Sequence, residues 1–145
     1  MNHRNVSITV PAPRDTVFNF LANIENLPKW ATEFCERIYL ERGTWKALTS
    51  QGELFMAFDT DDRTGVIDMR AGFTPEHMNL FPVRVLALPG GGTLVLFTFF
   101  QPPDLSDEIY ECQYRSLLVE MRGLIARFGG GRLCEPEAGV LLRQS

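Results

Sequence analysis

The chain has 145 residues, 45% hydrophobic and 22% charged, which fits one globular domain and excludes the disordered and membrane classes. A formal net charge of −4 and an isoelectric point near 5.2, with no basic stripe, argue against a nucleic-acid partner, because phosphate binding needs clustered Lys and Arg. Cys35, Cys112 and Cys134 are odd in number and far apart, so they read as reduced thiols rather than as a disulfide framework or a metal or redox motif.

At the N-terminus, Val6-Ser7-Ile8-Thr9-Val10 alternates apolar and polar residues, the period-2 signature of a half-buried strand, and no apolar run is long enough to span a bilayer. The expectation is an intracellular, cytoplasmic protein with no membrane insertion. Pro11 and Pro13 stop the strand; Val17, Phe18, Leu21 and Ile24 follow at helical spacing, and a second short helix is expected to begin near Pro28 and run to Phe34. Strands are expected near 37 to 41, 44 to 50, 53 to 59, 65 to 71, 78 to 88 and 93 to 101, separated by Arg42-Gly43, Gln51-Gly52, Asp61-Asp62-Arg63-Thr64-Gly65 and Pro89-Gly90-Gly91-Gly92. Such short connections favour antiparallel neighbours, since parallel pairs need long crossovers.

After Gln101-Pro102-Pro103, residues Tyr110, Tyr114, Leu117, Leu118, Met121, Leu124, Ile125 and Phe128 recur at steps of three and four, one apolar stripe on a long helix. Asp104 or Ser106 can cap its start, and Gly129-Gly130-Gly131 ends it. The domain is expected to occupy 1–131, with 132–145 as a tail that contains Val140, Leu141 and Leu142 but has no clear period. The fold class is α+β: a curved antiparallel sheet of about seven strands around a long C-terminal helix, with two short helices after the first strand.

That order resembles the helix-grip fold of the START-like superfamily, which includes polyketide cyclase/dehydrase-like and lipid-transfer members. The residues that carry the resemblance are Val6 to Pro13 followed by Val17-Phe18-Asn19-Phe20-Leu21, then Leu27-Pro28-Lys29-Trp30. Gly65-Val66-Ile67-Asp68, Arg84 and Gln101-Pro102-Pro103 resemble a polyketide-cyclase-like subgroup. The resemblance spans residues 3 to 129 and implies a pocket between sheet and long helix without naming its occupant. Relatives of this subgroup often place a His after the Asp; Met69 stands there in this chain, so no role built on that His carries over.

Asp68 and Arg84 each interrupt an apolar strand, and a buried unpaired charge costs several kcal/mol, so facing inward they should pair and orient a ligand's carbonyl or carboxylate. The alternative is that both point to solvent on the outer sheet face. Trp30, Phe34 and Trp45 are candidates for a pocket mouth or for plain core, with Met56, Thr98 and Leu118 as further lining. Tyr110, Gln113 and Tyr114 carry polar tips near the inner helix face; they either touch a ligand or bond to the sheet, and they confine the expected pocket to the helix's N-terminal half. His77, after Thr74-Pro75-Glu76, reads as an exposed loop residue, and no His and Cys spacing suggests a zinc site. Asp59 to Gly65 departs from a calcium loop, because Gly falls at the seventh position and Arg70 stands in place of the closing Glu. Neither Gly triplet makes a phosphate loop, and no catalytic residue or cofactor is assigned.

Both alternating faces of Leu94-Val95-Leu96-Phe97-Thr98-Phe99-Phe100 are apolar, and Leu86 and Leu88 extend the pattern, so the outer sheet face is expected either to form a homodimer or to be covered by the tail. Three functional readings follow: a binder of a small apolar or amphipathic molecule, a cyclase or dehydratase in which Asp68, Arg84 and Tyr114 converge, and a dimeric interaction module without ligand.

Overall fold

The computed structural model describes residues 2–135 and begins, as the alternation of Val6, Ile8 and Val10 requires, with a strand, β1 (His3–Val10). There follow α1 (Arg14–Ala22), a 3₁₀ turn (Ile24–Asn26), α2 (Leu27–Trp30) and six strands: β2 (Arg37–Glu41), β3 (Thr44–Thr49), β4 (Gly52–Asp61), β5 (Val66–Thr74), β6 (His77–Ala87) and β7 (Thr93–Phe100). The long helix α3 (Asp107–Arg127) and a short strand β8 (Arg132–Cys134) complete the described chain.

All pairings are antiparallel, and the sheet has the order β2-β3-β4-β5-β6-β7-β1-β8. The meander is therefore laid down in sequence, and the first strand returns to pair with the last of it, Val6 beside Phe97 and Ile8 beside Val95. The sheet has eight strands where the sequence pattern suggested about seven. The additional one lies in Arg132–Cys134, residues expected to belong to the tail. Gly131 permits it: at φ 147° its backbone passes so close to β1 that a Cβ there would sit 1.8 Å from the Thr9 carbonyl oxygen. Gly65 does the same at the β4–β5 turn, with φ 76° and an imagined Cβ 2.1 Å from the Val85 oxygen.

Helix α3 starts where Ser106 Oγ accepts from the Ile109 amide at 3.2 Å, with Asp107 and Glu108 in the first turn and Arg127 in the last, the charge order that suits the helix dipole. Its backbone runs closest to β1, β8 and α2 rather than to the centre of the meander. Val6, Ile8, Val83, Val85, Val95, Phe97, Met121 and Leu124 form the driest part of the core beneath it, and full burial of a side chain of this kind contributes about 1.5–3 kcal/mol. None of the described helices is long and apolar enough to cross a membrane.

Candidate functional site

The register assigns each side chain to one face of the sheet. Facing α3 are Arg4, Val6, Ile8 and Val10 of β1, Val95, Phe97 and Phe99 of β7, Phe81, Val83 and Val85 of β6, Ile67 and Met69 of β5, Met56 and Phe58 of β4, Trp45 and Ala47 of β3, and Ile38 and Leu40 of β2. This inner face is not uniformly covered. On β1, β7 and β6 the inner-face residues are buried except for the half-buried Arg4 and Phe81; on β3 and β4 Ala47 and Met56 are buried as well, whereas Ile38, Trp45 and Phe58 stay half-buried and Leu40 is 57% exposed.

One end of this inner face carries an aromatic stack built on β6, β7 and α3. Phe81, Phe99 and Tyr110 lie nearly parallel, with Phe99 and Tyr110 centroids 4.9 Å apart and Tyr114 beside them. The Arg4 guanidinium sits 4.2 Å over the Tyr114 ring and donates to both carboxylate oxygens of Glu111, at 2.7 and 2.5 Å. The Tyr110 hydroxyl donates to the Phe99 carbonyl at 2.6 Å, and the Tyr114 hydroxyl donates to Glu135 at 2.7 Å. Burial, followed by the neighbouring Glu135 carboxylate, raises the Tyr114 hydroxyl far above its ordinary range, and the Arg4 bonds hold the Glu111 carboxyl below its own. Both tyrosine tips are thus spent on the protein itself. Leu118 stands one heptad after Glu111 on the same flank of the helix and is partly buried against the core. The expectation that Tyr110 and Tyr114 turn polar tips to a pocket is corrected, because their hydroxyls bond to Phe99 and Glu135 and Arg4 covers their rings.

On the other side of the sheet's inner face, β2–β4 carry the incompletely buried Ile38, Leu40, Trp45 and Phe58, and the backbone of α3 runs closer to β1, β8 and α2 than to these strands. Gln113 stands one heptad before Glu120 on the same side of α3, and the Glu120 carboxylate meets the turn after α2. Gln113 is half-buried and makes no side-chain hydrogen bond among the described residues. Trp45 and Met56 are cross-strand neighbours, and Phe34 packs against the core. Trp30 is buried, its ring 5.9 Å from Phe97, and its indole Nε1 has no hydrogen-bond partner among the described residues. Of these candidates Trp45 and Met56 are neighbours on the inner face, Trp30 packs against Phe97 of β7, and Phe34 and Gln113 are half-buried.

The structure does not bring Asp68, Arg84 or Thr98 to the inner face. The dry phase is odd-numbered in β5 (Ile67, Met69) and in β6 (Val83, Val85), so Asp68 and Arg84 point to the outer face, where Arg84 donates to Asp68 at 2.9 Å and both remain partly wet. Asp59, directly opposite Asp68, is paired with Arg70. The inward ligand-orienting pair is corrected to an outer-face ion pair. Thr98 is also outside, donating to Asn5 at 2.8 Å. The convergence of Asp68, Arg84 and Tyr114 that a cyclase or dehydratase reading needs does not occur, since Tyr114 lies on the other side of the sheet. On the same outer face Leu86 is 45% exposed and Leu94, Leu96 and Phe100 are half-buried; the tail segment with Val140 to Leu142 lies outside the described residues.

Arg4 and Glu120 were missed in the sequence. Arg4 shares the even phase of Val6, Ile8 and Val10, and Glu120 interrupts the Gln113, Leu117, Leu124 row of the helix; those phases are the signals that would have found them. Glu120 is buried at 6% exposure and accepts from the Glu33 and Phe34 amides, both at 3.0 Å. Burial pushes its carboxyl up to about 7, the two amides oppose that shift, and the charge of Glu33 adds to it. An open cleft of about 490 Å³ runs along this contact, lined by Lys29, Trp30, Glu120 and Arg127 with Gly123 and Ala126 as its floor. Among the described residues no cluster of His, Cys, Asp or Glu could hold a metal ion.

No protein-family model and no curated protein matches the chain. Solved structures similar to it include the Aha1 dimer from Colwellia psychrerythraea, 17% identical over 88% of this chain and 96% of that one, with a TM-score of 0.66. A START superfamily protein from Mycobacterium smegmatis is 13% identical over 88% and 97%, with a TM-score of 0.64. The Zhui aromatase/cyclase from a Streptomyces species is 20% identical over 86% and 89%, with a TM-score of 0.60. At these identities what is shared is the fold, the START-like helix grip.

Proposed function

We propose that the chain binds a small apolar or amphipathic molecule between α3 and the inner face of β2–β4. The observation that carries this reading is the run of incompletely covered apolar side chains on the inner face of β2–β4, Ile38, Leu40, Trp45 and Phe58, against the buried Val6, Ile8, Val83, Val85, Val95 and Phe97 of β1, β6 and β7. Large apolar side chains that stay wet on a concave face gain from a guest that removes their surface from water, at roughly 25 cal/mol per Å². The half-buried Gln113 amide offers one donor and one acceptor to a polar end of that guest.

Anilinonaphthalene sulfonate, an apolar ring system with one charged group, is a suitable probe. Titrated into the native protein, the dye is expected to bind with enhanced fluorescence. Trp45→Glu, which places a charge on the inner face, is expected to weaken it at least about tenfold. Tyr39→Glu, a substitution on the outer face of the neighbouring strand, is expected to leave it unchanged. No dye binding by the folded protein, or equal binding by Trp45→Glu, would overturn the reading. Native mass spectrometry of gently purified protein then addresses which molecule occupies the site in the cell.

A further inference from the structure

Among the described residues the sheet has two edge strands, and they differ. The edge at β8 is three residues long, whereas β2 presents five, Arg37 to Glu41. The turn after β2 decides which of its backbone groups are free. Arg42 and Gly43 both have positive φ, 53° and 78°, the type I′ pair, so Glu41 and Thr44 close the hairpin as a hydrogen-bonded pair. Alternation along the ladder makes Tyr39 with Lys46 the next such pair, and leaves the N–H and C=O groups of Ile38 and Leu40 directed at the open edge. No backbone group of a described residue outside the ladder bonds to them.

We propose that this edge pairs antiparallel with β2 of a second copy of the chain, on a two-fold axis through Tyr39. In that register Ile38 meets the partner's Leu40, and these are the residues whose backbone groups are free. Arg37 meets the partner's Glu41, and Tyr39 meets the partner's Tyr39. The sequence Arg37-Ile38-Tyr39-Leu40-Glu41 is self-complementary about its centre, the condition an isologous contact imposes. Arg37 makes no ion pair among the described residues; its guanidinium lies 5.1 Å over the Tyr39 ring. Glu41 begins an outer-face row of alternating charge, with Lys46 3.4 Å from Glu41 and 4.0 Å from Glu53. The partner's Arg37 extends that row by one more opposite charge.

Edge strands are commonly protected by an inward-pointing charge, a proline or a bulge. The inward residues of β2 are Ile38 and Leu40, and pairing covers Leu40, the most exposed large side chain of the inner face. A contact made by one five-residue strand buries far less than the roughly 1,200 Å² typical of stable complexes, so the dimer is weak, with a Kd on the order of 10–100 μM.

Sedimentation velocity up to about 0.5 mM protein reads this association. The wild type is expected to shift from monomer to dimer across that range. Arg37→Glu and Glu41→Arg, each placing like charges opposite one another twice per dimer, are expected to weaken association by about tenfold or more. An equimolar mixture of the two variants restores both opposite-charge pairs, and the heterodimer is expected at wild-type strength. Leu40→Pro removes a free N–H without touching the β2–β3 ladder, and is expected to stay monomeric with an unchanged circular dichroism spectrum. A wild type monomeric at the highest concentration, single charge variants that associate like the wild type, or a mixture that fails to associate would each overturn the proposal. The dye-binding test above reads a different property, so either can fail alone.

Discussion

Glu120 is a carboxyl group whose two hydrogen bonds do not outweigh its burial, and its titration therefore acts on stability. With a folded value of about 7 against 4.5 for an ordinary glutamate, the native protein binds more protons than the unfolded chain between those limits. Stability from this group is fully present below pH 4.5 and is lost as pH rises through 7, by up to about 3 kcal/mol. Glu120→Gln keeps an acceptor for the Glu33 and Phe34 amides without the charge. Its urea-unfolding free energy is expected to match wild type near pH 5 and to exceed it near pH 8; a pH slope identical to wild type would contradict this account. At the same scale, what the sequence conceals is phase rather than chemistry. In Val66-Ile67-Asp68-Met69 read alone Asp68 can be placed on either face; read on to Ala71, the odd set Ile67, Met69 and Ala71 is wholly apolar while the even set carries Asp68 and Arg70, the phase that the burial of Ile67 and Met69 follows. In β1 the phase was legible, because Val6, Ile8 and Val10 are all even-numbered, and Arg4 shares it; a strand read only to its last apolar residue omits the arginine that covers the Tyr110 and Tyr114 rings.

The strands and α3 follow closely from periodicity and turn residues, because each hairpin is local. Two elements depart from that pattern, and both depend on distant partners. The stretch from Pro28 to Phe34 has a helical composition, yet α2 stops after Trp30; the amides of Glu33 and Phe34, which further helix would have used, are instead capped by Glu120 of α3. Strand β8 carries no period of its own over three residues, and exists because Gly131 lets the chain close on Thr9. Gly131→Ala separates conformational cost from contact. Gly130, also at positive φ (100°), has nothing near its imagined Cβ, so Gly130→Ala is expected to cost about 1 kcal/mol for the left-handed backbone alone. Gly131→Ala adds a clash with backbone that cannot move without parting β8 from β1, and is expected to cost more than Gly130→Ala and to accelerate amide exchange in Arg132–Cys134. Equal costs and unchanged exchange would mean that the close approach is not what holds β8.

For the molecule as a whole, the uneven cover of the inner face sets which parts open together. Cys35 lies between α2 and the edge strand β2; it is 2% exposed, its Sγ is 3.3 Å from the Arg37 carbonyl, and burial raises its thiol to about 11. Cys112 and Cys134 are exposed. A thiol reagent at pH 8 is therefore expected to modify Cys112 and Cys134 promptly and Cys35 only through opening of the α2–β2 region, at a rate set by that local equilibrium. Dye bound between α3 and β2–β4 must leave before this region opens. At a free concentration of 100 times its Kd it stabilises the closed form by about 2.7 kcal/mol, and modification of Cys35 is expected to slow by about 100-fold. Dye held on the outer face of β6 and β7 would remain bound through the same opening and leave the rate of Cys35 modification unchanged. The rate of one buried thiol thus locates the ligand on a particular face, because Cys35 is exposed only when α2 parts from β2, at the margin of the incompletely covered Ile38, Leu40 and Trp45.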